Sequence, residues 1–165
     1  MSEPACKPQT IQERALELLK LSPIAKWHAE NVNFLRTNQD SEIYIACSGG
    51  ADSVFALLLI FAAFPEARCR MSVIHFNHSL RGDESDGDKH FVKNLTAELK
   101  LNFITKDARN TNKVDEGTLR DERRAFFLEA LSQSNSGILI QGHNLDDVAE
   151  TLLWRIPRGV GVEGI

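Results

Sequence analysis

A short segment rich in glycine and serine, SGGADS at residues 48–53, separates an apolar run typical of a strand from one typical of a helix. Two adjacent glycines permit a turn that side chains would obstruct, so several backbone N–H groups can converge on one anion at the positive end of the helix. Asp52 offers a carboxylate to a magnesium pyrophosphate, and Ser48 and Ser53 offer hydroxyl donors. No Gly-Lys-Ser/Thr follows, so the lysine of a Walker loop is missing. The segment predicts a phosphate-binding loop, with an ordinary strand-to-helix turn as the alternative.

A second polar cluster, GHNLDDVAET at residues 142–151, carries carboxylates. If a helix begins near the middle of this cluster, Asp146, Asp147 and Glu150 fall in its first turns, where the helix dipole favours negative charge. Capping acids are therefore one interpretation. Helical spacing offers another, because Asp147 and Thr151 share one face while Asp146 and Glu150 share the opposite one. One face can then hold a metal ion, and we expect Asp147 to be the magnesium-linked acid.

The alternation of apolar runs predicts the elements that position these two clusters. After a loose tail at 1–10 and lead-in helices at 11–19 and 24–35, strands are expected at 43–47, 71–76, 102–106 and 137–142, and helices at 53–64, 84–99, 118–133 and 146–156. Strands separated by single helices imply right-handed crossovers and a doubly wound parallel sheet, an α/β fold of three layers. In the strand order 3-2-1-4, the carboxyl ends of the first and fourth strands flank the ligand crevice, which brings Asp147 near Asp52.

The composition fits one domain of ordinary globular character. With 165 residues, 42% apolar and 25% charged, the chain can bury a full core. A net charge of −4 offers no global attraction to nucleic acid, so any RNA contact needs a local basic patch. Three cysteines without a CxxC pair argue against a disulfide framework, a zinc ribbon or an iron–sulfur site. No apolar run approaches the roughly 20 residues that span a bilayer, so we expect a cytoplasmic protein with no membrane partner.

Four segments of the chain together resemble one family. In order, they are SGGADS, HFNHSLRGDESDGD, EGTLRDERRAFF and GHNLDDVAETLLWRIPRGVGVEGI. The first resembles the SGGxDS signature of ATP pyrophosphatases, which cut ATP between its α and β phosphates. All four, from about residue 40 to the last residue, resemble the N-terminal catalytic domain of the tRNA(Ile)-lysidine synthetase family.

This resemblance implies an adenine nucleotide alpha-hydrolase-like fold, with a tail and lead-in helices at 1–40 and the ATP-pyrophosphatase (PP-loop) domain at 41–165. It also implies a ligase that uses ATP and Mg²⁺. The wobble cytidine of tRNA(Ile) with a CAU anticodon is adenylated at O2, pyrophosphate leaves, and free lysine displaces AMP to give lysidine. The resemblance leaves a homodimer open.

The resemblance further implies roles for individual residues. Catalysis and magnesium binding fall to Asp52 and Asp147. The ATP-binding residues come from the loop, the HxNHxLR segment and the start of the GHxxDDxxET segment: Ser48, Gly49, Gly50, Ala51, Asp52, Ser53, His75, Asn77, His78, Arg81, Gly142 and His143. The substrate- and tRNA-binding residues come from the E-x-x-x-R-x-x-R helix and the final R-x-x-R-G-x-G segment: Glu116, Arg120, Arg123, Arg155 and Arg158.

Structural interpretations stand beside these roles. His75 and His78 can be a metal pair or simple packing at a strand end, although no third ligand lies at a useful spacing. The acid-rich residues 83–88 are most simply the solvated start of a helix. Arg120 and Arg123 alternate with acids, which also suits an exposed, salt-bridged helix face.

The chain stops inside a segment of the family pattern, so we expect a C-terminally incomplete domain that lacks a fifth strand and makes little lysidine alone. Two other functions remain open: another ATP pyrophosphatase with a different nucleophile, and a non-catalytic ATP-binding module. The missing CxxC motifs weigh against a thiolating relative.

Overall fold

The computed structural model describes residues 9–78, 83–108, 116–145 and 148–157. The helices are α1 (Ile11–Leu21), α2 (Ala29–Thr37), α3 (Ala51–Ala63), α4 (Asp83–Leu99) and α5 (Glu116–Ser132), with short 3-10 helices at Ile24–Lys26 and Pro65–Arg70. The strands are β1 (Glu42–Ala46), β2 (Met71–Asn77), β3 (Asn102–Asp107), β4 (Ser136–Leu145) and β5 (Val148–Pro157).

Four strands form the parallel part of the sheet in the order β3-β2-β1-β4, so the predicted order 3-2-1-4 is confirmed. Strand β1 lies in the middle and pairs with β2 on one side and with β4 on the other. Strands β2 and β3 are added on one side of β1, whereas β4 is added on the other side. This switch in strand order creates a crevice between β1 and β4, where ligands bind in such sheets. The loop after β1 begins at that crevice.

The sheet separates two hydrophobic cores. Side chains of β1 alternate between them, so that Ile43 and Ile45 pack on one side and Tyr44 packs on the other. The larger core lies under α1, α2, α3 and α4, and its helix α3 is buried along most of its length. The smaller core lies under α5, where Phe126 and Phe127 meet the sheet. Both faces of the sheet are covered, as the predicted three layers require.

Two predicted elements are corrected. The helix expected at 146–156 is wrong, since Val148–Pro157 forms a strand antiparallel to β4 and adds a fifth strand at that edge of the sheet. Leu152, Trp154 and Ile156 alternate with other residues, and this period of two competes with the helical spacing of the same apolar residues.

The second correction concerns the lead-in helix expected at 24–35, which is divided into a 3-10 turn and α2. Trp27 leaves the helical path between them, donating its indole N–H to the Ser22 carbonyl at 3.0 Å and packing beside Phe64. Within the four described ranges, no helix has the length and apolarity needed to cross a bilayer.

Candidate functional site

The loop after β1 turns sharply into α3 through its two glycines. Gly49 has a φ of +98°, a conformation that L side chains rarely adopt, and Gly50 is the N-cap of α3 with a φ of −69°. Because glycine offers no side chain to cap the helix, an anion can accept hydrogen bonds from the first-turn N–H groups that a serine or aspartate cap would take. Asp52 lies exposed in that first turn.

The two loop serines brace the turn from within. The Ser53 hydroxyl is buried, donates to the Gly50 carbonyl at 2.8 Å and accepts the Ser48 N–H at 3.1 Å. The Ser48 hydroxyl contacts that of Ser53 at 3.1 Å and accepts the Gly50 N–H at 3.3 Å. These bonds hold the backbone in one shape before any ligand arrives, so the cradle is preorganised.

A cavity of about 150 Å³ opens beside the loop, between the carboxyl ends of the strands and α5. Its polar wall comes from the loop, from α3, α5 and β4, and from the residue after β2: Ser48, Ser53, Arg123, Gln141 and His78. Its apolar wall comes from the smaller core: Ile74, Phe76 and Phe127. A small chamber with both polar and apolar walls, next to the first-turn N–H groups of α3, suits a ligand with one flat apolar part and one anionic part.

Gly142 closes the β4 side of this cavity. A Cβ built on Gly142 would lie 3.2 Å from the Asp52 carbonyl oxygen and 3.2 Å from the Ala56 Cβ. The missing side chain therefore lets the end of β4 approach the first turn of α3 closely. This contact sets how closely α3 approaches β4 at the crevice.

Two histidines lie at the carboxyl end of β2, His75 within the strand and His78 just after it, and they face opposite sides of the sheet. His75 is buried under α4 and stacks with Phe103 at 6.4 Å between ring centroids. His78 lines the cavity and meets the edge of Phe76 at 5.0 Å. They therefore do not form the metal pair considered from the sequence, and only His78 reaches the cavity.

Burial lowers the pKa of both histidines. For His75, desolvation is the main cause, and its hydrogen bond to the Cys47 carbonyl opposes the change. For His78, desolvation is reinforced by the neighbouring charge of Arg123. Both rings are held toward their neutral forms.

Helix α5 places one positively charged side chain, that of Arg123, in the cavity wall. Arg123 is half-buried in the cavity wall, and its pKa is lowered first by desolvation and then by the positive charge of Arg120. A guanidinium remains charged at any physiological pH, so the effect is to leave a poorly solvated positive charge facing the chamber. Arg120 and Arg124 lie exposed on the same helix. Glu116 begins α5.

A cluster of polar side chains lies at the start of α4. It was not predicted from the sequence, because residues 83–88 were expected to be the solvated start of a helix. Asp88 packs against Gly49, with its Oδ1 3.2 Å from the place of a glycine Cβ. Asn77 donates to Asp86 at 3.2 Å. Lys89 forms an ion pair of 2.8 Å with Asp107, and this contact is the main reason that the Asp107 pKa is lowered. The first turns of α4 thus support the loop from the side opposite the cavity.

Several other predicted site residues either lie outside the described residues or are known only from the backbone pairing of their strands. Asp147, Arg81 and Arg158 lie outside the described residues. His143 pairs with Glu150 across β4 and β5. Arg155 pairs with Ile138, toward the amino end of β4, so its backbone lies away from the loop. Over the described part of the chain, no three His, Cys, Asp or Glu side chains come together as a metal site.

The chain is similar to proteins of a known family. Residues 23–165 match the model of a family described as a PP-loop domain. The tRNA(Ile)-lysidine synthase of Chlorobaculum tepidum is 38% identical over 130 residues, which cover 74% of this chain and 39% of that protein. The tRNA(Ile)-lysidine synthase of Clostridium acetobutylicum is 34% identical over 134 residues, or 77% of this chain and 29% of that protein. The chain thus spans well under half the length of these curated relatives.

Among solved structures, an NH3-dependent NAD synthetase from Campylobacter jejuni, in complex with the nitrate ion, is similar with a TM-score of 0.42 and 13% sequence identity. The similarity covers 78% of this chain and 53% of that chain.

Proposed function

The chain belongs to the PP-loop domain family, and we propose that it binds ATP with its phosphates on the Ser48–Ser53 loop and part of the nucleotide in the adjoining cavity. The observation that carries this proposal is that the loop and the cavity meet at the crevice between β1 and β4. The turn at Gly49 leads into the first turn of α3, whose uncapped N–H groups can bind an anion, and the chamber beside it supplies apolar walls.

Magnesium would reach this site together with the phosphates. Mg²⁺ is usually held by one or two carboxylates plus substrate phosphates and water, so it does not need a cluster of protein ligands. We propose Asp52 and Asp147 as the carboxylates. Asp52 suits this role because it is exposed in the first turn of α3, next to the loop. Arg123 and His78 face the same chamber and would contact the α-phosphate or the sugar.

The reaction we propose is that of the lysidine synthases to which the chain is similar. O2 of the wobble cytidine of tRNA(Ile) attacks the α-phosphorus of ATP, and the bond to the β-phosphate breaks to release pyrophosphate. Free lysine then displaces AMP. The role of this chain would be to hold the triphosphate so that its α-phosphorus faces an open side of the crevice. Residues 41–165 would form the PP-loop domain that does this.

Contact with tRNA would depend on local basic residues, since the net charge is −4. We propose Arg120 on α5, together with Arg155 and Arg158, as the phosphate contacts. Arg123, which the sequence also assigned to tRNA, lies in the cavity wall and is proposed for the nucleotide. Each neutralised phosphate adds about −0.7 to −0.9 to the slope of log affinity against log salt. Binding by so few contacts would be weak and strongly salt-dependent.

Product analysis of ATP turnover tests the proposal. We expect AMP and pyrophosphate from the purified chain with ATP–Mg²⁺, a tRNA(Ile) with a CAU anticodon and labelled lysine, and we expect no such products from Asp52→Asn. ADP and phosphate as intrinsic products would overturn the proposal. Because little lysidine is expected from these 165 residues alone, the dependence of AMP formation on the tRNA is decisive. AMP formed equally well without tRNA would assign the chain to an ATP pyrophosphatase with another nucleophile, and ATP binding without AMP would leave a binding module.

A further inference from the structure

Cys47, the residue just before the loop, is held by hydrogen bonds at both its backbone groups. Its N–H donates to the Ile74 carbonyl at 3.0 Å, which extends the pattern of the β1–β2 pair by one residue. Its carbonyl oxygen accepts from the His75 ring at Nδ1, at 2.8 Å. The regular pairing of these strands ends at Ala46 and Ile74. The His75 side chain therefore anchors the chain at the point where it leaves the sheet.

This contact determines which ring nitrogen carries the proton. A carbonyl oxygen can only accept, so Nδ1 of His75 must be the protonated nitrogen in the neutral ring. Nε2 is buried and has no hydrogen-bond partner among the described residues. A second proton there would bury a donor without an acceptor, which is costly. The charged groups that act on this ring are Asp88, Lys89 and Asp107.

The position of His75 separates it from the chamber. It lies 2% exposed on the α4 face of the sheet, with Val73 on the same face of the same strand. The chamber opens on the other face, beside Phe76 and His78. The only described hydrogen bond of the ring is the one to the Cys47 carbonyl. His75 can therefore act on a ligand through the start of the loop without touching the ligand.

We infer that His75 is a positioning residue that sets the start of the phosphate loop through its Nδ1–H bond to the Cys47 carbonyl, and that it does not contact the nucleotide. The inference rests on the proposed function for its effect on ATP, while the hydrogen bond itself is a property of the free protein. It gives the HxNH segment two separate tasks: the first histidine supports the loop, and the second faces the ligand.

Two substitutions distinguish this role from direct contact. In His75→Asn the amide nitrogen can occupy the place of Nδ1 and donate to the Cys47 carbonyl. In His75→Gln the amide extends toward the place of Nε2 and leaves the carbonyl without its donor. Val73→Ala serves as the matched control, because it removes buried volume from the same strand and face without touching the loop.

We expect His75→Asn to bind ATP–Mg²⁺ with nearly wild-type affinity and His75→Gln to bind about 3- to 10-fold more weakly, the equivalent of one lost hydrogen bond. Val73→Ala should lower the thermal midpoint yet keep its affinity for ATP. The reverse order, with glutamine tolerated and asparagine impaired, would show direct contact through Nε2 and overturn the inference. Equal losses in Val73→Ala and His75→Gln would also overturn it, because the effect would then reflect stability alone.

The ring tautomer provides a test that does not need ATP. Heteronuclear NMR of the imidazole nitrogens in the free protein should show His75 protonated at Nδ1, with its Nε2 signal unmoved when ATP–Mg²⁺ is added. An Nε2-protonated ring would refute the inference whatever the protein binds. If wild-type protein bound no ATP but His75 kept its Nδ1 proton, the proposed function would fail and the anchoring of the loop would stand.

Discussion

Replacement of Gly49 by alanine tests whether the turn of the loop carries the binding. Gly49 has a φ of +98°, and an alanine held in such a conformation costs about 1–3 kcal/mol. The new Cβ would lie 3.2 Å from Cβ and Oδ1 of Asp88, but that side chain is exposed and can move by a few tenths of an ångström. The backbone strain is therefore the larger effect.

The strain should appear mainly in ligand binding. In the free protein the peptide groups of the loop can rotate to relieve it, which turns N–H groups away from the position of the phosphate. Binding must restore the strained turn, so a cost of about 2 kcal/mol corresponds to roughly a 30-fold loss of affinity for ATP–Mg²⁺. Titration calorimetry measures this loss of affinity. Any strain that the free variant does not relieve lowers its free energy of unfolding, which urea unfolding measures.

Two other glycines provide matched controls. A Cβ on Gly50 would meet only the Ser48 hydroxyl at 3.5 Å, and its φ of −69° suits any residue. Gly87, within α4, has open space around it, so alanine there should raise stability by about 0.5–1 kcal/mol. The double variant Gly49→Ala/Asp88→Ala removes the contacts with Oδ1 and Cγ but keeps the contact with the Cβ of residue 88, so little of the lost affinity should be recovered. Wild-type affinity in Gly49→Ala would refute the reasoning.

Three further predictions concern charge. Asp52→Ala should weaken metal-dependent ATP binding by about 1–3 kcal/mol, and an unchanged magnesium dependence in calorimetry would remove Asp52 from the metal site. Arg123→Gln should lower ATP affinity about tenfold through loss of a charged contact, while the exposed Arg124→Gln leaves it unchanged; equal effects would contradict a role specific to the cavity wall. Because burial lowers the pKa of His75 and His78, the unfolded chain binds protons that the folded one does not, and the free energy of unfolding should fall as the pH drops below about 6.5. Urea unfolding at several pH values should show a shallower fall in His75→Asn, which cannot titrate there, and the same slope as wild type would contradict this assignment.

The sequence located the central unit of the fold closely. The strand expected at 43–47 is Glu42–Ala46, and the helix expected at 53–64 is Ala51–Ala63. Both are strongly apolar runs, Gly49 and Gly50 separate them, and Pro65 follows the helix, so most of their limits are marked by residues with distinct backbone preferences. The alternation of strands and helices predicts the parallel sheet, although doubly wound sheets of more than one strand order share that alternation.

The same reasoning failed for Val148–Pro157 because its apolar residues fit two periods at once. Val148, Leu152 and Ile156 lie four apart, as on one face of a helix, while Leu152, Trp154 and Ile156 lie two apart, as on one face of a strand. Pairing with β4 along its whole length decides in favour of the strand. Such tertiary pairing has no local signal in the chain.

The candidate site shows a similar division. The alternation of side chains along β2 already separates His75 from His78, so the opposite faces of the two histidines could have been predicted. The contact of Asp88 with Gly49 could not, because it depends on how far α4 is rotated and displaced over the sheet. The acids at the start of α4 looked like ordinary solvated residues, and only packing reveals that one of them meets the loop.

The unequal division of the two cores has a consequence for how a ligand enters. On one face, α1, α2, α3 and α4 share a single core, whereas on the other face α5 is the described helix that covers the sheet. Local opening is least costly where the fewest buried contacts must separate, so α5 is expected to open before the sheet does. The chamber lies under that helix, beside Arg123 and Phe127. A nucleotide bound there would hold α5 closed by mass action, so amide hydrogen exchange in α5 should slow more than in any other described helix when ATP is added.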